Sequence, residues 1–117
     1  MKTILVIEDT DLNIDLITQL LEDEYNLLIA KDGAQGVEMA LTKNPDLILM
    51  DMALPVMDGY QATRKIRETN KSLPIIGLSS HAMSGDELKA LEAGCNAYLT
   101  KPINDELLFN KLKEYLK

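Results

Sequence analysis

The segment Leu47-Ile48-Leu49-Met50 is apolar at every position and ends in Asp51. A strand with one solvated face alternates apolar and polar residues, so an unbroken apolar run marks a strand covered on both faces. Such strands belong to parallel sheets flanked by helices. Three other runs also end in polar chemistry: Ile4-Leu5-Val6-Ile7 leads into Glu8-Asp9, Ile75-Ile76-Gly77-Leu78 into Ser79, and Ala97-Tyr98-Leu99-Thr100 into Lys101-Pro102. Leu27-Leu28-Ile29 completes a set of five. Strands are predicted at about 3–8, 25–30, 46–50, 74–78 and 96–100, and helices at about 10–22, 34–42, 59–69, 84–93 and 104–116.

Helical spacing carries the second half of each unit. Leu12, Leu16, Ile17, Leu20 and Leu21 recur at that spacing after Thr10, a candidate N-cap. Asn44-Pro45 closes the second helix, because proline disfavours helical geometry in the residue before it. Ser84 and Asn104 suit the caps of the fourth and fifth helices, and Gly94 suits the stop of the fourth. Leu108, Leu112, Tyr115 and Leu116 would face inward from the fifth. Five strand–helix units joined by right-handed crossovers imply an α/β, (βα)5 doubly wound fold. It has a five-stranded parallel sheet with helices on both faces, and 2-1-3-4-5 is the common strand order at this size.

In such a sheet all strands end on one edge, and ligands bind there. Strands 1 and 3 are neighbours in that order, so Glu8, Asp9 and Asp51 should converge. Three packed carboxylates repel one another unless a proton or a cation neutralises them. Oxygen ligands without nearby His or Cys favour Mg²⁺, with Mn²⁺ as a substitute, over zinc. Lys101 stands on the same edge and can pair with Asp51, then with a phosphoryl oxygen. Its bond to Pro102 is of the kind able to adopt cis geometry. Ser79 offers a hydroxyl donor beside strands 3 and 5. His81 has no evident orienting partner and reads as an exposed loop residue. Cys95 reads as a small packing residue, and Met50, Met52, Met57 and Met83 as gap fillers. No glycine-rich phosphate loop follows strand 1, which removes the main support for nucleotide binding.

Composition narrows the classes further. The chain has 117 residues, enough for one cored domain, 1–117. A net charge of −7 argues against direct nucleic acid binding, which needs a basic patch. One cysteine excludes an internal disulfide. No run approaches the roughly 20 apolar residues of a membrane span. Met1-Lys2-Thr3 enters the first strand directly, so a cytoplasmic protein is expected.

These residues resemble the receiver domain of two-component response regulators, over essentially the whole chain. The resemblance rests on the acid pair Glu8-Asp9, the run Asp46 to Asp51, the loop Met52-Ala-Leu-Pro-Val-Met-Asp-Gly59, and Ser79, Tyr98 and Lys101-Pro102. It implies a flavodoxin-like receiver fold, a single-domain regulator, and a phosphoacceptor at Asp51. The donor would be the phosphohistidine of a sensor histidine kinase or a histidine phosphotransfer protein. Asp9 and Asp51 would ligate Mg²⁺ directly, Glu8 mostly through water, and the backbone carbonyl of Ala53 would complete the protein ligands. Lys101 and Ser79 would contact the phosphoryl group, and Tyr98 would be the aromatic switch residue. A downstream protein would bind the face of helix 4, strand 5 and helix 5. The chain would be a monomer or a phosphorylation-dependent dimer, and not a turnover enzyme on external substrates. Two departures stand out: Ser79-Ser80 where Thr then Ala or Gly is usual, and Ala53 where longer side chains are common. Ala53 offers little shielding of an acyl phosphate.

Two rival classes can be weighed against this. A phosphohydrolase of the haloacid-dehalogenase type would place a second acid two residues after its nucleophile, where this chain has Ala53. A receiver-like scaffold that only binds partners would usually lack one of the key groups, and none is missing.

Overall fold

A computed structural model of the chain describes residues 1–79 and 86–116. The sequence expectations for Ser80, His81, Met83 and Ser84 lie outside the described residues. The elements run β1 (Thr3–Ile7), α1 (Asp11–Leu21), β2 (Asn26–Ala30), α2 (Gly33–Thr42), β3 (Leu47–Asp51), α3 (Gly59–Thr69), β4 (Ile75–Ser79), α4 (Asp86–Ala93), β5 (Ala97–Thr100) and α5 (Asp105–Tyr115). All strands pair in parallel, in the order β2-β1-β3-β4-β5. The expected order therefore holds, with element ends shifted by a residue or two.

Successive strand residues point to opposite faces, and this divides the core in two. Leu5, Ile7, Ile48, Met50 and Ile75 pack with Val37, Ala40, Ala62, Ile66 and Ala90 from α2, α3 and α4. Ile4, Val6, Leu47, Leu49, Ile76 and Leu78 pack with Ile17 and Leu21 from α1 and with Leu108 and Leu112 from α5. The unbroken apolar strands are thus covered twice. Cys95, Met50 and Met52 are buried among the first group, as packing residues should be. Among the described residues no helix is long and apolar enough to cross a membrane.

α1 departs from expectation. Ile17 and Leu21 are buried, but Leu12 is 67% exposed and Leu16 51%. The apolar positions of this helix span too wide an arc to reach one core face. Leu12 and Leu16 are one turn apart on the outer part of that arc.

Helix ends follow local chemistry. Asp32, Asp58 and Asn104 each accept a backbone N–H three residues on, from Gln35 (2.7 Å), Gln61 (2.9 Å) and Leu107 (3.0 Å). Thr10 occupies the cap position of α1 but makes no side-chain cap bond. Glu8 instead ties down the chain just before the helix: its Oε2 accepts from the N–H of Asp9 (3.1 Å) and of Thr10 (3.3 Å). Asn44 follows α2 with φ +50°, the left-handed conformation that asparagine tolerates after a helix. α4 ends at Ala93, and Gly94 follows with φ +121°. Asn104→Ala is expected to cost about 1 kcal/mol, the usual value of such a cap, while Thr10→Ala stays near neutral. Urea melts of the two variants check the contrast.

The edge of the sheet at the strand N-termini is clamped by one side chain. Arg67, near the end of α3, donates to the Gly94 carbonyl (2.9 Å), the Asn70 carbonyl (3.1 Å) and Asn96 Oδ1 (2.8 Å). Asn96 Oδ1 also accepts from the Ile75 N–H at 2.9 Å. The α3 terminus, the α4–β5 turn and the start of β4 therefore share one hydrogen-bonded knot.

Candidate functional site

Parallel pairing places the carboxyl ends of β1, β3, β4 and β5 side by side. Ile7 pairs with Met50, Asp51 with Leu78, and Ser79 with Thr100. Glu8 and Asp9 leave β1 directly. Asp51 ends β3, Ser79 ends β4, and Lys101 follows β5.

Glu8, Asp9 and Asp51 each offer a carboxylate oxygen within 4.8 Å of the others. Glu8 is fully buried, Asp51 nearly so, and Asp9 is exposed. Lys101 Nζ lies 2.7 Å from Glu8 Oε1 and 3.5 Å from Asp51 Oδ1. The lysine reaches Asp51, as expected from the sequence, and lies closer still to Glu8. Both carboxylates are buried and both accept backbone N–H groups, Glu8 from Asp9 and Thr10 and Asp51 from Ala53 at 3.1 Å. The Lys101–Pro102 peptide is cis.

The charges do not balance. Three carboxylates face one ammonium, which leaves two negative charges in excess. Burial works against the charged form of Glu8, but Lys101 and the contact with Asp51 outweigh it and hold its carboxyl below the ordinary range. Asp51 carries the strain of the pair. Burial, with the neighbouring Glu8, pushes it up to about 6, against the pull of the Ala53 N–H and Lys101. A divalent cation would remove the excess. All the side-chain donors are oxygens and Asp9 opens to solvent, which suits a hard cation that keeps part of its water shell.

Ser79 is buried at the same edge, and its carbonyl accepts the Lys101 N–H at 2.6 Å. Tyr98 lies on β5 opposite Gly77, half-buried against the core layer of α2, α3 and α4. Ala53 is exposed in the loop after β3. A groove of about 440 Å³ runs between α1 and the segment after β5, lined by Leu16, Ile17, Leu20, Lys101 and Ile103 among others. Sequence reasoning missed this groove, because helical spacing groups Leu16 with Ile17 and Leu20 and does not tell the exposed position from the buried ones.

A family model described as the response regulator receiver domain matches residues 4–113. The chain belongs to the receiver domain family. This receiver is 33% identical to the polar-differentiation response regulator DivK of Brucella anthropi, over 98% of the chain and 96% of that protein. It is 39% identical, with a TM-score of 0.91, to the receiver domain of sensor histidine kinase PA1611 from Pseudomonas aeruginosa. That match covers 98% of this chain and 97% of the other, whose structure holds a magnesium ion in the active site cleft. The receiver domain of Ssk1 from Saccharomyces cerevisiae, solved with the histidine phosphotransfer protein Ypd1, is 31% identical with a TM-score of 0.91. Coverage there is 97% of this receiver and 88% of that chain. The receiver is a module of two-component signalling, and its acidic cluster is a candidate magnesium site.

Proposed function

We propose that residues 1–117 form one receiver domain that takes a phosphoryl group on Asp51 from the phosphohistidine of a sensor histidine kinase or a histidine phosphotransfer protein. One observation carries the reading: Asp51 is a buried carboxylate clustered with those of Glu8 and Asp9, with the Lys101 ammonium 3.5 Å away. Pushed up to about 6, it is still mostly ionised at neutral pH, and bonding to an electrophilic phosphoryl group would relieve the crowding of like charge.

Asp9 and Asp51 would hold Mg²⁺ directly, with the Ala53 carbonyl, and Glu8 through water. Both Glu8 oxygens are already engaged, by Lys101 and by two backbone N–H groups, which fits the indirect role. The bound ion would supply charge neutralisation between acceptor and phosphoryl oxygens. Asp51 attacks in line, its oxygen forms the new bond to phosphorus, and the histidine nitrogen leaves with the bonding pair. Lys101 neutralises a third direction, and Ser79 donates to the phosphoryl group.

The same two contacts would drive the switch. Hydrogen bonds to charged groups are worth about 1.5–3 kcal/mol each. Turning a 1:99 equilibrium into 99:1 takes about 5.5 kcal/mol. Lys101 and Ser79 together are of that order. Ser79 moves toward the phosphoryl group, Tyr98 turns into the vacated space, and the α4–β5–α5 face changes for a downstream protein. Leu88 and Leu91 on α4 and Leu107 on α5 are exposed, which suits such a face. Leu12, Leu16 and the groove that reaches Lys101 suit docking of the phosphoryl donor.

Mass spectrometry after incubation with acetyl phosphate and Mg²⁺ tests the reading. One hydroxylamine-labile phosphate on Asp51, absent when Mg²⁺ is chelated, is the expected result. Phosphate on another residue, or steady turnover of unrelated phosphate esters, would contradict it.

A further inference from the structure

The loop after Asp51 is held from outside the site as well as from within. Inside, the Met52 N–H donates to the Leu78 carbonyl (2.9 Å) and the Ala53 N–H to Asp51 Oδ1 (3.1 Å). The Gly59 N–H then closes the loop on the Met52 carbonyl (3.2 Å). Outside, the chain reverses at Val56, which has φ +69°. The Met57 N–H donates to the Pro55 carbonyl at 2.7 Å across it, a γ-turn of the strained hand. A β-branched residue is disfavoured at positive φ, and the Val56 side chain is 85% exposed, so its own burial does not hold the turn.

Contact with α2 does. The Met57 carbonyl rests on Gly33, the first residue of that helix. A Cβ at Gly33 would overlap the Met57 carbonyl oxygen and lie 2.8 Å from its carbon. Both are backbone atoms, so no side-chain rotation would relieve the clash. The carbonyl oxygen also meets the helix end where the backbone dipoles are positive. Asp32 fixes that first turn by accepting the Gln35 N–H at 2.7 Å.

We propose that Gly33 is a positioning residue for Asp51: the first turn of α2, through the Met57 carbonyl, sets the loop that presents the Ala53 N–H to the acceptor carboxylate. The proposal rests on Asp51 being the phosphoacceptor. Gly33→Ala must push Met57 outward, and the displacement passes through Val56, Pro55 and Leu54 to Ala53. A misplacement of about 1 Å originating away from the chemistry can slow a reaction about 10²-fold.

A merely structural glycine would lower stability without this effect, and the same helix offers the control. A Cβ at Gly36 would meet the Ile7 side chain, with Cδ1 at 2.5 Å and Cγ1 at 2.9 Å, in the core and away from the loop. The experiment compares wild type, Gly33→Ala, Gly36→Ala and Asp32→Ala. It reads thermal melting, the rate of phosphorylation by acetyl phosphate with Mg²⁺, and the Ala53 amide resonance in Mg²⁺-free protein.

Gly33→Ala is expected to phosphorylate about 10²-fold more slowly and to shift the Ala53 resonance. Gly36→Ala is expected to keep the wild-type rate and resonance whatever its melting temperature. A wild-type rate in folded Gly33→Ala, or equal slowing in both variants, overturns the proposal. If Gly33→Ala does not fold, Asp32→Ala decides, since it loosens the same turn without adding an atom. Slower transfer with a shifted Ala53 resonance then supports the proposal, and wild-type values overturn it. If wild type takes no phosphate, the acceptor reading fails, while the Ala53 resonance still judges the link from Gly33 to the loop.

Discussion

Asp51→Asn protein should take no phosphate from acetyl phosphate and should be more stable than wild type at about pH 8. The first effect follows from loss of the nucleophile. The second follows from linkage. The folded protein holds the Asp51 carboxyl at about 6, against about 4 for an unfolded chain. Between those values the folded state binds the proton more tightly than the unfolded state does. The Asp51 contribution to stability is therefore full below about pH 4 and is lost as pH rises through about 6. Asparagine has no such loss. At about 1.4 kcal/mol per unit, the variant gains up to roughly 3 kcal/mol at pH 8 in Mg²⁺-free buffer. The gain should shrink toward about pH 4, where wild type keeps its proton, and in saturating Mg²⁺, which stabilises wild type more than a variant short of one carboxylate ligand. Urea melts across that range check the sign. A variant less stable than wild type at pH 8 would mean that the acidic cluster is not under repulsion.

Lys101→Met should have the opposite sign. Glu8 is sealed from water, and its nearest counter-charge is Lys101 at 2.7 Å. Removing one partner of a buried ion pair leaves the other charge uncompensated, at a cost of about 3 kcal/mol or more at pH 8. Glu8 owes its lowered carboxyl partly to that lysine, so the variant raises the Glu8 pKa. Protonation then relieves it, and the deficit relative to wild type narrows as pH falls toward about 5. Glu8→Gln in the Lys101→Met background should recover much of the loss, and the double-mutant cycle measures the coupling. Additive losses would show that Lys101 and Glu8 are not coupled.

Much of this could be read along the chain. The apolar runs predicted strands covered on both faces, and Leu5 and Ile7 indeed face one layer of helices while Ile4 and Val6 face the other. Asn104 reads as a cap because its side chain reaches only three residues. The acids at strand ends could be grouped because parallel topology sends every strand end to one edge. The rest depends on distances between remote parts of the chain. Nothing near Lys101 says that it lies nearer Glu8 than Asp51, since that choice depends on how three separate strand ends come together. Periodicity grouped Leu12 and Leu16 with Ile17 and Leu21, although only the last two reach the core. The left-handed Val56 and the approach of Met57 to Gly33 have no local signature, since each arises from where α2 comes to rest.

The Arg67 knot gives α4 the mechanics of a lever. Its C-terminal end is pinned through the Gly94 carbonyl to α3 and to the start of β4, on the side of the sheet away from Asp51. At about 1.5 Å per residue, the helix from Asp86 to Ala93 spans roughly 12 Å beyond that fulcrum. Any displacement of α4 with the knot intact is then a swing, smallest at Ala93 and largest at Asp86. Leu88, farther from the knot, sweeps a longer arc than Leu91. A partner gripping both leucines would sense the angle of the helix as well as its position.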